Sequence, residues 1–246
     1  IKSKIKSALF YPMTLFTVAI VVMVFMLIKV VPVFAKMYEG MGVPLPKPTA
    51  IIMGMSDFMR SPSGGGVLLV VLILAFVVFK YLAKTNEAFK LKWHQTILKL
   101  PLFGGLILKS LLARIALIMG NLSAAGVNLL ESIEIAKSVT NNVVVVNALE
   151  NIKKGVFSGD TLTKLFLKEK VFPQTFSQLI SVGEQTGSLD EMFNSVAKYY
   201  EEEFDTAVSN LSSLIEPIMI VFMGLTIGSL MIAMYAPIFN VGAIIG

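Results

Sequence analysis

Side chains able to carry chemistry are few and widely spaced in this sequence. It contains no cysteine and a single histidine, His94. That composition excludes disulfides, cysteine-based zinc sites and cysteine nucleophiles. A His-x-x-x-His metal site is excluded as well, and a Ser/His/Asp triad has only His94 to build on. His94 follows Trp93 on a lysine-rich stretch and reads as a surface or interfacial side chain. No G-x-x-x-x-G-K-[ST] phosphate loop occurs. The run Ser-Pro-Ser-Gly-Gly-Gly at 61–66 lacks the Lys-Ser/Thr pair such a loop needs, and reads as a flexible entry to an apolar segment. Carboxylates cluster at Glu201, Glu202, Glu203 and Asp205. Neighbouring carboxylates on a helix fan around the cylinder rather than into one site. They read as a solvated face, or as an acidic docking surface for a partner. Glu184 and Asp190 flank the Gln-Thr-Gly-Ser turn at 185–188. Two readings are open there: a cation site, or helix capping and dipole roles. The expectation is no catalytic residue, no metal and no cofactor.

The elements that carry these residues are mostly apolar. The chain is 55% hydrophobic and 15% charged, with mean hydropathy +0.78. Soluble globular domains are more charged. Three stretches lack any charge over a membrane-spanning length: 7–28, 61–79 and 217–246. A bilayer core about 30 Å thick needs roughly 20 helical residues, so three transmembrane helices are expected. The first stretch is too long for a signal-peptide core, and no small-residue cleavage site follows it. The chain begins at Ile1 rather than Met, and reads as a fragment of something longer.

The net charge is +5. Residues 80–216 are balanced, with 14 Lys/Arg and 14 Asp/Glu. The excess lies beside the apolar stretches, which argues against nucleic acid as a partner. Lys2, Lys4 and Lys6 precede the first span, and Lys80, Lys84, Lys90, Lys92 and Lys99 follow the second. The positive-inside rule then places the chain start and residues 80–216 in the cytoplasm, and the 29–60 loop and the C-terminus outside.

One cassette occurs twice. Pro12 and Pro32 lie 20 positions apart, as do Pro217 and Pro237, and Phe34 and Phe239 follow the second proline of each pair by two residues. The expected topology makes these parallel repeats. Within the spans, Lys29 sits at an outer end where it can snorkel, and Glu216 at an inner edge. No ionisable group lies mid-span, which disfavours a membrane transporter subunit, the alternative reading. Gly224 and Gly228 form a G-x-x-x-G pair that permits close helix packing in lipid.

Between the second and third spans the pattern is amphipathic and helical. Phe89, Trp93, Ile97 and Leu100 recur at helical spacing over 85–99. Further helices are expected at about 105–124, 128–140, 142–155 ending at Gly155, a short one near 161, one from Phe172-Pro173 to Val182, and a long one from 189. Gly126 stops one helix, Asn128 with Glu131 starts the next, Gly187 supplies a left-handed cap, and Ser188 with Glu191 forms a capping box. The fold class is all-α: a polytopic membrane protein with three transmembrane helices and a six- to seven-helix cytoplasmic bundle. The expected segments are span 1 with its lead-in (1–34), a periplasmic loop (35–60), span 2 (61–83), the helical domain (84–214), and span 3 with a periplasmic tail (215–246).

Four segments then carry a family resemblance. They are Leu-Leu-Ala-Arg at 111–114 running to Gly126-Val-Asn-Leu-Leu-Glu131; Phe172-Pro173 followed by Val-Gly-Glu-Gln-Thr-Gly-Ser-Leu-Asp at 182–190; the terminal apolar segment from Glu216-Pro217; and the first apolar segment with its following loop. Together they resemble the inner-membrane platform proteins of type IV pilus and type II secretion systems. The resemblance implies two repeats, each a cytoplasmic helical domain closed by a span, with the first domain missing here. It also implies a non-enzymatic inner-membrane scaffold, homo-oligomeric, acting with a cytoplasmic hexameric assembly or retraction ATPase, pilin-like subunits and other inner-membrane components. Pilus, secretion and DNA-uptake machines fit equally. The positions it carries over are Arg114, Gly126, Pro173, Gly183, Glu184, Gly187, Leu189, Asp190, Glu216 and Pro217, in turn-making, capping and surface roles.

Overall fold

Proline sets the first interruption. In the computed structural model, which describes residues 2–40 and 47–245, helix α1 (Lys2–Phe25) passes through a π-helical turn, Met26–Val30, and resumes as α2 (Val31–Gly40). Pro32 has no amide to donate, so the preceding turn cannot close in the ordinary α pattern. The Val31 amide reaches back to the Met26 carbonyl instead. The Leu27 carbonyl, left over by this shift, accepts the hydroxyl of buried Ser56. Ser56 belongs to α3 (Lys47–Arg60). The 35–60 segment, expected as a loop, is therefore helical where described; residues 41–46 lie outside the described residues.

The chain divides into two units, residues 81–211 and residues 2–80 with 212 onward. In the second of these, Leu27, Val31 and Leu230 form a small buried cluster, with Met23, Met26, Ile52, Met53 and Met59 packed on it. Phe16 lies against Phe222, ring centroids 5.5 Å apart. A second π-helical turn, Pro62–Gly66, leads into α4 (Val67–Thr85). The Ser61 hydroxyl accepts the Gly64 amide at 2.9 Å, so the Gly-rich run is ordered helix rather than flexible entry. No residue of α4 is buried.

The other unit holds seven helices: α5 (Glu87–Lys99), α6 (Phe103–Ala124), α7 (Leu129–Ser138), α8 (Val143–Phe157), α9 (Leu162–Lys168), α10 (Gln174–Thr186) and the first part of α11 (Leu189–Ile245). Its core is one cluster in which Leu112, Ile115, Met119, Ile133, Leu149 and Ile152 meet Phe166, Phe176 and Phe193. Phe166, Phe172 and Phe176 form an aromatic knot with centroids 4.8–5.2 Å apart. Tyr200 joins it at 5.9 Å from Phe176, and burial, with Tyr199 and Glu203 alongside, pushes its phenol up to about 12. The Ser177 hydroxyl is buried there without a hydrogen-bond partner among the described residues.

Several boundaries differ from the sequence expectation for local reasons. A helix was expected from 85, but Asn86 separates α4 from α5 and its Oδ1 caps the Phe89 amide. Gly155 does not end α8; the helix runs to Phe157, and Gly159 takes the left-handed φ of 89°. Gly155 is instead a contact point, since a Cβ there would stand 2.1 Å from Leu165. Helix α10 continues past Val182 to Thr186. Among the described residues four helices, not three, are long and apolar enough to cross a membrane. The fourth is α6, of which 44% of the most apolar window is buried, against 11%, none and 11% for the segments in α1, α4 and α11. Its apolarity fills the core.

Gly183 and Gly224 make opposite predictions. A Cβ at Gly183 would lie 2.7 Å from Met192 Cβ and 3.2 Å from the Ser188 carbonyl, whereas one at Gly224 would meet nothing within 4 Å. Gly183→Ala should cost about 1–3 kcal/mol through overpacking, and Gly224→Ala should leave stability unchanged or slightly raised. Thermal unfolding of the purified chain in detergent reads both.

Candidate functional site

The shortest helix is held at its start by a distant carboxylate. Thr161 precedes α9 but makes no side-chain cap bond. Glu184, from α10, takes that role: Oε1 accepts the Leu162 amide at 2.7 Å, and Oε2 accepts the Thr163 amide at 3.0 Å and the Thr163 hydroxyl at 2.7 Å. A carboxylate on unsatisfied amides at a helix N-terminus is a charge-assisted interaction. Glu184 is thus committed to a helix end rather than to a cation. Among the described residues no group of three His, Asp or Glu could hold a metal.

Three residues further on the chain reverses. Gly187 has φ 75°, and its amide and that of Ser188 both donate to the Gly183 carbonyl. Only glycine adopts that φ at no steric cost, and the paired bonds satisfy the end of α10. Leu189, half-buried, packs on the core as α11 begins, and Asp190 lies in its first turn. Pro173 starts α10, its carbonyl accepting the Phe176 amide at 3.0 Å and the Ser177 amide at 3.4 Å. Four of the expected residues, Gly183, Glu184, Gly187 and Leu189, therefore build one joint between α9, α10 and α11, and Pro173 starts the opposite end of α10.

A second place joins α6 to α11. Arg114 and Leu117 face Asn194, Lys198 and Glu201 across a cleft of about 390 Å³. Gly120 allows the approach, since a Cβ would stand 2.6 Å from Asn194 Oδ1. Neighbouring Lys109 pairs with Glu203 at 2.7 Å, a partly exposed bridge that contributes little stability. The acidic turn is thereby divided: Glu201 lines the cleft, Glu203 is paired, Phe204 is buried, and Glu202 is exposed.

Sequence reasoning read His94 as a surface or interfacial side chain; it is half-buried and bonded to another helix. Its Nδ1 accepts the Val143 amide at 3.0 Å, at the start of α8. Burial, and then the charge of Lys90, lower its pKa below the ordinary 6.5. On α7 and α8 a network of ion pairs links Lys137 to Glu134 and Glu150, and Lys153 to Glu134, at 2.7–2.8 Å. These hydrogen bonds hold both carboxyls below their usual range and the Lys137 ammonium above its own. The remaining expected residues do not join a site. Gly126, φ 77°, turns α6 into α7. Glu216 and Pro217 are exposed on α11, which continues through the proline, and neither Gly224 nor Gly228 has a neighbour among the described residues within 4 Å of where a Cβ would stand.

The sequence comparisons bear on what these joints belong to. Residues 115–237 match the family model described as Type II secretion system (T2SS), protein F. The chain belongs to the protein F family. The match begins one residue after Arg114, takes in the Glu184 joint and the α11 side of the cleft, and ends at the second cassette's Pro237. The chain is 40% identical over its whole length to the Type IV pilus assembly protein PilC of Pseudomonas aeruginosa, covering 65% of that protein. It is 33% identical over its whole length to the PilC of Myxococcus xanthus, covering 58%. It is also 30% identical over its whole length to the Type II secretion system protein F of P. aeruginosa, covering 60%. The chain thus spans roughly three fifths of the length of these protein F relatives.

Glu184→Gln leaves one oxygen where two now accept, and should lower the stability of residues 81–211 by about 1–2 kcal/mol, with the loss of amide-exchange protection greatest at Leu162 and Thr163. His94 gives a pH signature. Its folded pKa is depressed, first by burial and then by the charge of Lys90, and only the neutral imidazole can accept the Val143 amide. Its contribution is therefore full above about 6.5 and is lost as pH falls through the lower folded value. Denaturation midpoints should drop between pH 7 and 5, and His94→Gln should flatten that slope.

Proposed function

We propose that the chain is part of an inner-membrane platform of a type IV pilus or type II secretion machine, coupling a cytoplasmic hexameric ATPase to assembly or disassembly of pilin-like subunits. The observation that carries the reading is the family membership, together with relatives whose names are those of pilus assembly and secretion proteins. The platform is non-enzymatic, a reading supported by the family and by relatives named for assembly and secretion. The platform works as a homo-oligomer with other inner-membrane components.

In this reading α1, α4 and the end of α11 cross the bilayer, and α6 does not, because its apolar face is already used by the core. Residues 84–214 then lie in the cytoplasm, and 35–60 and the tail in the periplasm. The open faces at Gly224 and Gly228 are available to another helix in the membrane. Glu202, exposed on the acidic turn, is the candidate ATPase contact. A transporter reading calls for ionisable groups at membrane depth; residues 217–246 contain none.

Affinity capture tests this. Tagged chain, solubilised from cells that carry such a machine, should retain the hexameric ATPase and pilin-like subunits, and Glu202→Lys should weaken ATPase retention without changing thermal stability. Capture of neither partner, with the tagged chain folded and membrane-extracted, would reject the proposal.

A further inference from the structure

Helix α5 uses one face and leaves another in solvent. It packs on α6 and α8; Leu91, His94 and Leu98 are half-buried, with His94 bonded to α8. Phe89, Trp93, Thr96 and Leu100 fall at i, i+4, i+7 and i+11, one continuous stripe on a helix. It lies away from the inner face; Phe89 is half-buried, and Trp93 and Leu100 remain 39% and 45% exposed. Lys92 and Lys99 border the stripe on one side and Lys90 on the other. All three are exposed, and none has an ion pair among the described residues.

The stripe continues into a strained corner. Leu102, at φ 69°, is the one non-glycine residue with positive φ among the described residues. It sits in a γ-turn closed by the Phe103 amide donating to the Pro101 carbonyl at 2.9 Å. Strain of this kind persists where surroundings require it. Here it holds Leu102 and Phe103 outward, 55% and 47% exposed. Gly104 permits the tight turn, since a Cβ would stand 2.2 Å from the Leu98 carbonyl. Along the chain, α5 starts two residues after α4 ends, and the end of α4 adds Lys80 and Lys84.

We propose that α5 and the 100–103 corner dock on the anionic surface of the bilayer, the Trp93–Leu100 stripe at the acyl boundary and Lys90, Lys92 and Lys99 against lipid phosphates. An exposed apolar stripe edged by lysines and carrying tryptophan is the composition of an interfacial helix. Basic residues directly after a membrane-length helix lie within reach of anionic headgroups. The proposal rests on the reading of α4 as a span.

Trp93 is the sole tryptophan, so its fluorescence reports α5 alone. The full chain is reconstituted in nanodiscs of phosphatidylcholine, with or without phosphatidylglycerol, and with acyl chains brominated near the headgroup. With phosphatidylglycerol, Trp93 emission should move to the blue and be quenched by the brominated chains. High salt should reverse this, and neutralising each lysine should weaken docking about fivefold, so that K90Q/K92Q/K99Q weakens it about a hundredfold. Resistance to alkaline extraction should be unchanged, which separates this proposal from the spans: extraction of the chain would refute the span reading instead. Trp93 unquenched in anionic nanodiscs, as when a protein partner or second copy covers it, would overturn the proposal. So would equal quenching in both lipids.

Discussion

A buried peptide group must find a hydrogen-bond partner, and this constraint decides the places where the chain is irregular. In water the solvent can meet the need; in a packed bundle or in lipid only the protein can. Pro32 removes one amide, the helix widens, and Ser56 reaches the Leu27 carbonyl from another helix. Helix α9 is too short to stabilise itself and lacks a local cap, so Glu184 supplies two acceptor oxygens from α10. Helix α8 starts on an imidazole that must stay neutral. In each case a polar side chain in a largely apolar chain serves the backbone, which is why so few are left for chemistry.

The regular parts of this fold were legible in the sequence because they follow from period and composition. The all-helical fold, the long apolar helices, the caps at Asn128 and Gly187 and the long last helix all stand where spacing put them. What was not legible depends on contacts between segments far apart in the chain. Gly155 looks like a helix stop, yet it is the point where Leu165 passes. Glu184 and Asp190 look like a cation pair until α9 is seen to need a cap. His94 carries no sequence signal for its bond to Val143, 49 residues away. Nor does hydropathy distinguish α6, whose apolar residues fill a core, from helices whose apolar residues face outward.

These features fit the proposed platform, in which the chain would transmit position. The Glu184 joint fixes α9, α10 and the start of α11 together through carboxylate, glycine and aromatic contacts. From that joint α11 runs without a break from Leu189 to Ile245, through Pro217. A single helix with one end set in a packed core and the other in the apolar cassette suits the platform role proposed from the family. The paired cassettes make sense as two closing spans of like direction.

The central claim is that the membrane is crossed three times, leaving residues 84–214 on one side and the C-terminal tail on the other. The chain has no cysteine, so single cysteines at Ser158 and Asn240 can be labelled in intact spheroplasts with a membrane-impermeant maleimide. The account predicts that Asn240→Cys reacts at once and Ser158→Cys only after the membrane is opened. Equal reaction at both positions before opening would contradict it.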